Sequence, residues 1–229
     1  MPAVPDVAFL HTSPVHVATF SSLVAALAPG LTASHEVRED LLTLARELGP
    51  DHPEVVSRTR AAMPAASRAG APVVVCTCSS VGGAAEGTDT GGRFAAMRVD
   101  RAMADAAVAS GGTVLVAAAL ESTLEPTEAL LKSSAARARR DVTIRTVVAP
   151  GAWALFEAGR DAEYFDSIAR AARACLPGPR VVVLAQASMQ GAVARLADLG
   201  VPVLASPALG VQAVVDVLAR DPRRRDPRR

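Results

Sequence analysis

Cys78 lies in Thr77-Cys78-Ser79-Ser80, a polar turn that follows the apolar run Val73-Val74-Val75-Cys76 and precedes a helical pattern. A thiol that leaves a buried strand and enters the turn before a helix sits close to unpaired backbone N–H groups, which favour the thiolate. A thiolate can act as a base or as a nucleophile. Thr77, Ser79 and Ser80 supply hydroxyl groups, and successive amides in such a turn can form an anion nest. The plain alternative is a small buried side chain without chemistry, as free cysteines often are; the polar turn at the end of a strand argues against it. Cys76 lies deeper in the apolar run and reads as packing. Cys175, between an Ala/Arg-rich helical segment and Leu176-Pro177-Gly178-Pro179, reads as inert.

The same arrangement occurs a second time. Val73 to Ser80 returns as Val181-Val182-Val183-Leu184-Ala185-Gln186-Ala187-Ser188, and at the same spacing of 108 residues Thr19 falls on Thr127. Each copy is an apolar run, a short polar turn and a helical pattern, which puts the turn at the C-terminal edge of a parallel sheet, where ligands bind. Two strand-turn-helix units in step imply two similar lobes. If the lobes face one another, Cys78 and Gln186 approach one cleft from opposite sides.

The elements that must position these residues follow from periodicity. Strands are expected at 7–10, 73–76, 114–118, 142–148, 181–184 and 201–204, with a shorter polar strand near 32–37. Helical patterns run at 20–27, 55–68, 95–109 and 187–199. Strand and helix in alternation mean an α/β protein with parallel sheets. The expected division is a first lobe at 1–93, completed by a strand and helix at 203–219 that cross back, and a second lobe at 94–202. The Gly-rich stretch 82–92 reads as a flexible loop beside Cys78, either a lid or a plain connector.

Composition removes several classes of function. A chain of 229 residues, half of them apolar, can bury one large core or two modest ones. A net charge of +1 offers no field for nucleic acid or anionic lipid. Much of the local positive charge sits in the two Asp-Pro-Arg-Arg units of the terminal segment, and 220–229 is expected to be a solvated, disordered tail. The chain reaches a core-like strand by Val7 without a cationic lead-in, has no run long enough to cross a bilayer, and has only three cysteines, so a cytoplasmic protein with reduced thiols is expected. Lys132 is the only lysine and falls in the amphipathic run 126–137, on a solvated face, which argues against Schiff-base chemistry. Neither Gly-x-Gly-x-x-Gly nor Gly-Lys-Ser/Thr occurs. Cys76 and Cys78 lack a second pair of thiols and the four histidines show no ligand spacing, so no metal is expected.

Taken together, Thr77-Cys78-Ser79-Ser80-Val81-Gly82, Ser122-Thr123-Leu124-Glu125-Pro126-Thr127 and Val183-Leu184-Ala185-Gln186-Ala187-Ser188-Met189 resemble the aspartate/glutamate/hydantoin racemase superfamily. Phe9-Leu10-His11-Thr12 and Met97-Arg98-Val99-Asp100-Arg101-Ala102-Met103 agree with one branch of it. The resemblance covers nearly the whole chain outside the arginine-rich tail. It implies two pseudosymmetric α/β lobes with the active site between them, no cofactor, a homo-oligomer, and cysteine acid/base chemistry at the carbon next to the carboxylate of a small acid. Racemases of this superfamily carry one cysteine on each lobe. Cys78 matches the first and Gln186 stands at the second, where an amide cannot transfer protons. The superfamily also contains arylmalonate decarboxylases and maleate isomerases, which do not all use a symmetric thiol pair, so one-sided chemistry remains open: protonation of an enolate from a single face after decarboxylation, or addition of the thiolate to an activated alkene, with Gln186 binding or orienting the substrate. A small-carboxylate-binding protein without turnover is the reading from another class.

The developing negative charge needs hydroxyl and amide donors. Thr12, Ser79, Ser80, Ser122, Thr123 and Ser188 are the expected substrate-binding residues, and His11, directly after the first strand, is the histidine with the best claim to join them. Helix capping is the competing role for Thr123, Thr127 and Ser188. Glu121 is either an acid/base partner of Cys78 or solvated, and Asp100 either an N-cap or a contact between lobes.

Overall fold

The apolar runs become the central strands of two sheets. In the computed structural model, which describes residues 3–221, β1 (Val7–His11) is followed by α1 (Val15–Leu27), β2 (Ala33–Val37), α2 (Glu39–Leu48), α3 (Pro53–Ala66), β3 (Val73–Cys76), α4 (Ser79–Glu86) and β4 (Ala95–Arg98). The four strands are parallel in the order β2-β1-β3-β4. Every residue of β1 and β3 is buried, as a parallel sheet with both faces covered requires, while the edge strand β2 is half-buried and polar. One face packs Leu10, Val74 and Cys76 against Leu41, Val55, Met63 and Val81. Phe9 packs at a tilt against Phe20 of α1 instead.

The second set begins with α5 (Arg101–Ser110) and continues through β5 (Gly112–Ala118), α6 (Leu124–Ala138), β6 (Val142–Val148), α7 (Ala152–Glu157), α8 (Asp161–Arg173) and β7 (Val181–Leu184). A tightly wound 3-10 segment, Ala187–Leu196, leads to β8 (Val203–Ala205) and then α9 (Ser206–Arg220). These strands are also all parallel, in the order β6-β5-β7-β8, which reproduces the first sheet position by position. Leu115, Val182 and Leu184 pack with Tyr164, Ile168, Met189 and Leu196 in a core of their own. Burying each such side chain contributes roughly 1.5–3 kcal/mol.

The chain divides into two compact units: residues up to Val99 together with those from Pro207, and Asp100–Ser206. Three expectations need correction. The segment 95–109 is not one helix, because Ala95–Arg98 pairs with β3 and the helix starts only at Arg101; the alanines suit a helix, but an open sheet edge overrides local preference. The strand expected to cross back instead pairs with β7 in the second sheet, and α9 alone returns to the first unit. The stretch 82–92 is not all loop, since its first residues belong to α4. The expected tail lies outside the described residues beyond Asp221, and Arg220 is the last residue of α9.

Candidate active site

Cys78 is the N-cap residue of α4, with extended backbone (φ −102°, ψ 122°) between the end of β3 and the first helical turn. Its side chain makes no capping hydrogen bond, and it is half-buried, packed against the core that contains Leu10, Cys76 and Val81. The unpaired N–H groups of that turn and the positive end of the helix favour negative charge at this place. Ser79 and Ser80 are buried in the first turn and Thr12 is buried after β1, so the three hydroxyl residues lie on the C-terminal sides of neighbouring strands. Cys76 is sealed in the core, its thiol donating to the carbonyl oxygen of Cys78 at 3.7 Å.

His11 does not offer a free nitrogen to a ligand. It is fully buried as the last residue of β1; Nδ1 lies 2.9 Å from Thr77 Oγ1 and Nε2 lies 2.8 Å from Nδ1 of His35 on β2. Nε2 of His35 in turn lies 3.0 Å from Oγ of the exposed Ser21 on α1. Burial is the main reason that the His11 imidazole titrates far below its ordinary range, at about 3, with the neighbouring His35 and His16 adding repulsion. Burial likewise brings His16 to about 4 and lowers His35.

Arg98 is a residue the sequence reading passed over. It ends β4 opposite Cys76, is 5% exposed, and donates from Nη2 to the carbonyl oxygen of Ser79 at 3.4 Å. Its guanidinium lies against Gly82, where a Cβ would come within 2.9 Å of Nε. The available signal was an arginine in an otherwise apolar segment together with the glycine pair after the Cys78 turn; the helical reading of 95–109 hid it.

In the second unit, Gln186 occupies the place that Cys78 holds in the first, with extended backbone (φ −123°, ψ 141°) at the end of β7. Its Oε1 accepts hydrogen bonds from the backbone N–H of Ala119 at 2.7 Å and of Leu120 at 3.2 Å, just beyond β5. The amide is therefore fixed in orientation, and its Nε2 hydrogens are directed away from that pair as donors. Ser122 follows on the same turn, with a buried Oγ that has no hydrogen-bond partner among the described residues. Thr123 is buried at the start of α6 but makes no side-chain capping bond, and its carbonyl oxygen accepts from Thr127 Oγ1 at 2.8 Å. Ser188 Oγ is 2.8 Å from the hydroxyl of the buried Tyr164, whose phenol burial pushes up. Glu121 is exposed.

Each group of expected residues is thus gathered at the C-terminal edge of its own sheet: Thr12, Cys78, Ser79 and Ser80 in one unit, Ser122, Thr123, Gln186 and Ser188 in the other. Among the described residues no group of three or more His, Cys, Asp or Glu could hold a metal ion, and no helix is long and apolar enough to cross a membrane.

No family model and no curated protein sequence matches the chain. Solved structures do. Glutamate racemase of Bacillus anthracis superposes with a TM-score of 0.69 at 12% identity, covering 94% of this chain and 82% of that one. Aspartate racemase of Picrophilus torridus gives 0.66 at 9% identity over 93% and 94%. The fold is that of the Asp/Glu racemases. Allantoin racemase of Klebsiella pneumoniae shares it as well, with a TM-score of 0.56 at 19% identity over 93% and 87%. Cys78, Gln186 and the hydroxyl residues around them follow β1 and β3 in the first sheet and β5 and β7 in the second.

Proposed function

We propose that the protein is a cofactor-independent enzyme of the Asp/Glu racemase superfamily, an isomerase in class, acting at the carbon next to the carboxylate of a small acid. The observation that supports this is a half-buried thiol at the N-cap of α4, on the ligand-binding edge of a racemase fold. Cys78 removes or delivers the proton at the reacting carbon. Ser79 and Ser80, with the amides of the first turn of α4, hold carboxylate oxygens. Thr12 is a further donor on the same sheet edge, and Ser122, Thr123 and Ser188 offer hydroxyl groups at the matching edge of the second unit.

The fixed amide of Gln186, at the matching place in the second unit, favours a second reading, because an amide can donate hydrogen bonds but cannot exchange a proton as a second thiol would. Cys78 then works on one face only. In the decarboxylase form, the bond to one carboxylate of a malonate breaks, carbon dioxide leaves, and the electron pair remains as an enediolate stabilised by these donors. The Cys78 thiol then protonates the carbon.

Incubation of purified protein with aspartate, glutamate and hydroxy acids in deuterated water is expected to replace the α-proton, and a failure with all of them removes the isomerase assignment. Release of carbon dioxide from phenylmalonate would establish the lyase form. In either case Cys78→Ala is expected to lower turnover by at least about a hundredfold while leaving ligand affinity within a few-fold. Unchanged turnover in that variant would overturn the role of the thiol.

A further inference from the structure

Four polar side chains of the first unit form an unbroken line that the proposed chemistry at Cys78 does not yet use. Ser21 Oγ, His35 Nε2 and Nδ1, His11 Nε2 and Nδ1, and Thr77 Oγ1 are joined by contacts of 3.0, 2.8 and 2.9 Å. The line begins on the exposed outer face of α1, passes through the half-buried β2 and the sealed end of β1, and stops at the residue directly before Cys78. Its walls are aromatic. Phe9 stacks on both imidazoles, with ring centroids 5.9 Å from His11 and 5.5 Å from His35, and Phe20 lies 5.1 Å from Phe9.

We propose that Ser21, His35, His11 and Thr77 form a proton relay between the outer face of α1 and the turn that carries Cys78. Each link can both donate and accept. In one ordering Ser21 O–H donates to His35, His35 Nδ1–H to His11, and His11 Nδ1–H to Thr77, whose own proton points to the carbonyl oxygen of Leu10, 3.4 Å away. In the other ordering every bond is reversed: Thr77 donates to His11, His11 Nε2–H to His35, and His35 Nε2–H to Ser21. A concerted shift from the first to the second moves one proton along the line without forming a buried imidazolium at rest: Ser21 regains a proton from solvent, and as the His11 proton arrives the Thr77 hydroxyl turns from the Leu10 carbonyl oxygen and releases its own proton toward the Cys78 turn. Both histidines are held neutral by burial, so each keeps one donor and one acceptor nitrogen.

The inference rests on the single-thiol reading of the site and deepens it. Two opposed thiols can exchange roles from one turnover to the next. A lone thiol must instead trade its proton with solvent: a decarboxylation consumes one proton per turnover, and the thiolate left on Cys78 has to regain it. The relay delivers that proton to the Thr77 hydroxyl, which passes it through water or the bound acid in the turn to the thiolate. His11, His35 and Ser21 are positioning and proton-supplying residues in this scheme, not residues that touch substrate.

The test uses the full chain labelled with 15N-histidine. The His11 ring N–H is sealed from solvent, so direct exchange is barred; saturation transfer from water is expected to show exchange in the wild type and to slow at least about tenfold in His35→Phe, which fills the same space and extends the aromatic stack. His35→Gln keeps a donor and an acceptor but cannot hand a proton through, and it is expected to slow exchange in the same way. Ser21→Ala, where water can replace the hydroxyl, is expected to change little. Unchanged exchange in His35→Phe, or in His35→Gln should the first variant not fold, overturns the relay. With phenylmalonate as probe, His35→Gln is expected to preserve the rate of the first turnover and to lower the steady-state rate by about tenfold or more; full steady-state activity overturns the role in turnover. A wild type inert toward phenylmalonate counts against the decarboxylase reading, and the exchange measurement still decides the relay.

Discussion

His11 and His16 make the first unit sensitive to acid in a way that their surroundings define. Each titrates well below the ordinary 6.5 when folded, at about 3 and about 4, mainly because burial disfavours the imidazolium. The unfolded chain therefore binds protons that the folded chain does not take up. Stability from these groups is intact above about 6.5 and falls as the pH drops toward the folded values, by up to about 1.4 kcal/mol per pH unit for each histidine. Urea unfolding of the wild type and of His16→Gln between pH 7 and pH 5 checks this: the variant should lose stability more gradually, by about one proton in the slope. At this scale the Cys78 and Gln186 turns were readable, because an apolar strand that ends in polar residues and recurs in register marks a sheet edge. The role of His11 was not. Its position after a strand suggested a place at the edge, but only the pairing of β1 with β2 and β3 reveals that both ring nitrogens are already engaged.

Among the elements, α4 shows why two adjacent glycines need not mean a loop. A Cβ at Gly82 would meet the Arg98 guanidinium at 2.9 to 3.0 Å, whereas at Gly83 the nearest atom is Arg98 Nη1 at 3.8 Å, an ordinary contact. Gly82→Ala is expected to cost about 1–3 kcal/mol by displacing a buried cation, and Gly83→Ala to gain about 0.4–1 kcal/mol by restricting the unfolded chain. Opposite shifts of the urea midpoint in the two variants would confirm that packing, not flexibility, selects glycine at the first position. The same contact explains what the sequence concealed here. Glycine reads locally as a breaker, and β4 reads as part of a helix, yet the two are linked by one arginine whose partners lie far away along the chain. The strands were easier to read because burial on both faces leaves long runs of Val, Leu and Ala.

For the whole molecule, the duplicated sheet order was foreshadowed by the recurrence of Val73 at Val181, but the register was not. Val74 lies opposite Ala8 in one sheet, while Val182 lies opposite Leu115 in the other; the first strands are thus one residue out of step with the internal repeat. The site of the crossing was likewise misjudged, because β8 is too short to declare its sheet. It is α9 that completes the first unit. Val211, Val214 and Leu218 of that helix are buried, and a Cβ on Gly210 would fall 2.6 Å from the Val99 carbonyl oxygen. Truncation before Pro207 is expected to speed hydrogen exchange in β1 and β3 at least about tenfold while leaving β5 and β7 protected; equal loss in both sheets would refute this assignment of α9.

Because α9 follows the whole of the second unit along the chain and belongs with the first, the two units mature at different moments of synthesis. Every residue of the Asp100–Ser206 unit has been joined before any of α9 beyond its first residue, so the later-encoded half can close while the earlier one still exposes the surface meant for Val211, Val214 and Leu218. A nascent chain arrested short of Pro207 would therefore present apolar surface from its N-terminal half alone, the half most in need of a chaperone's cover.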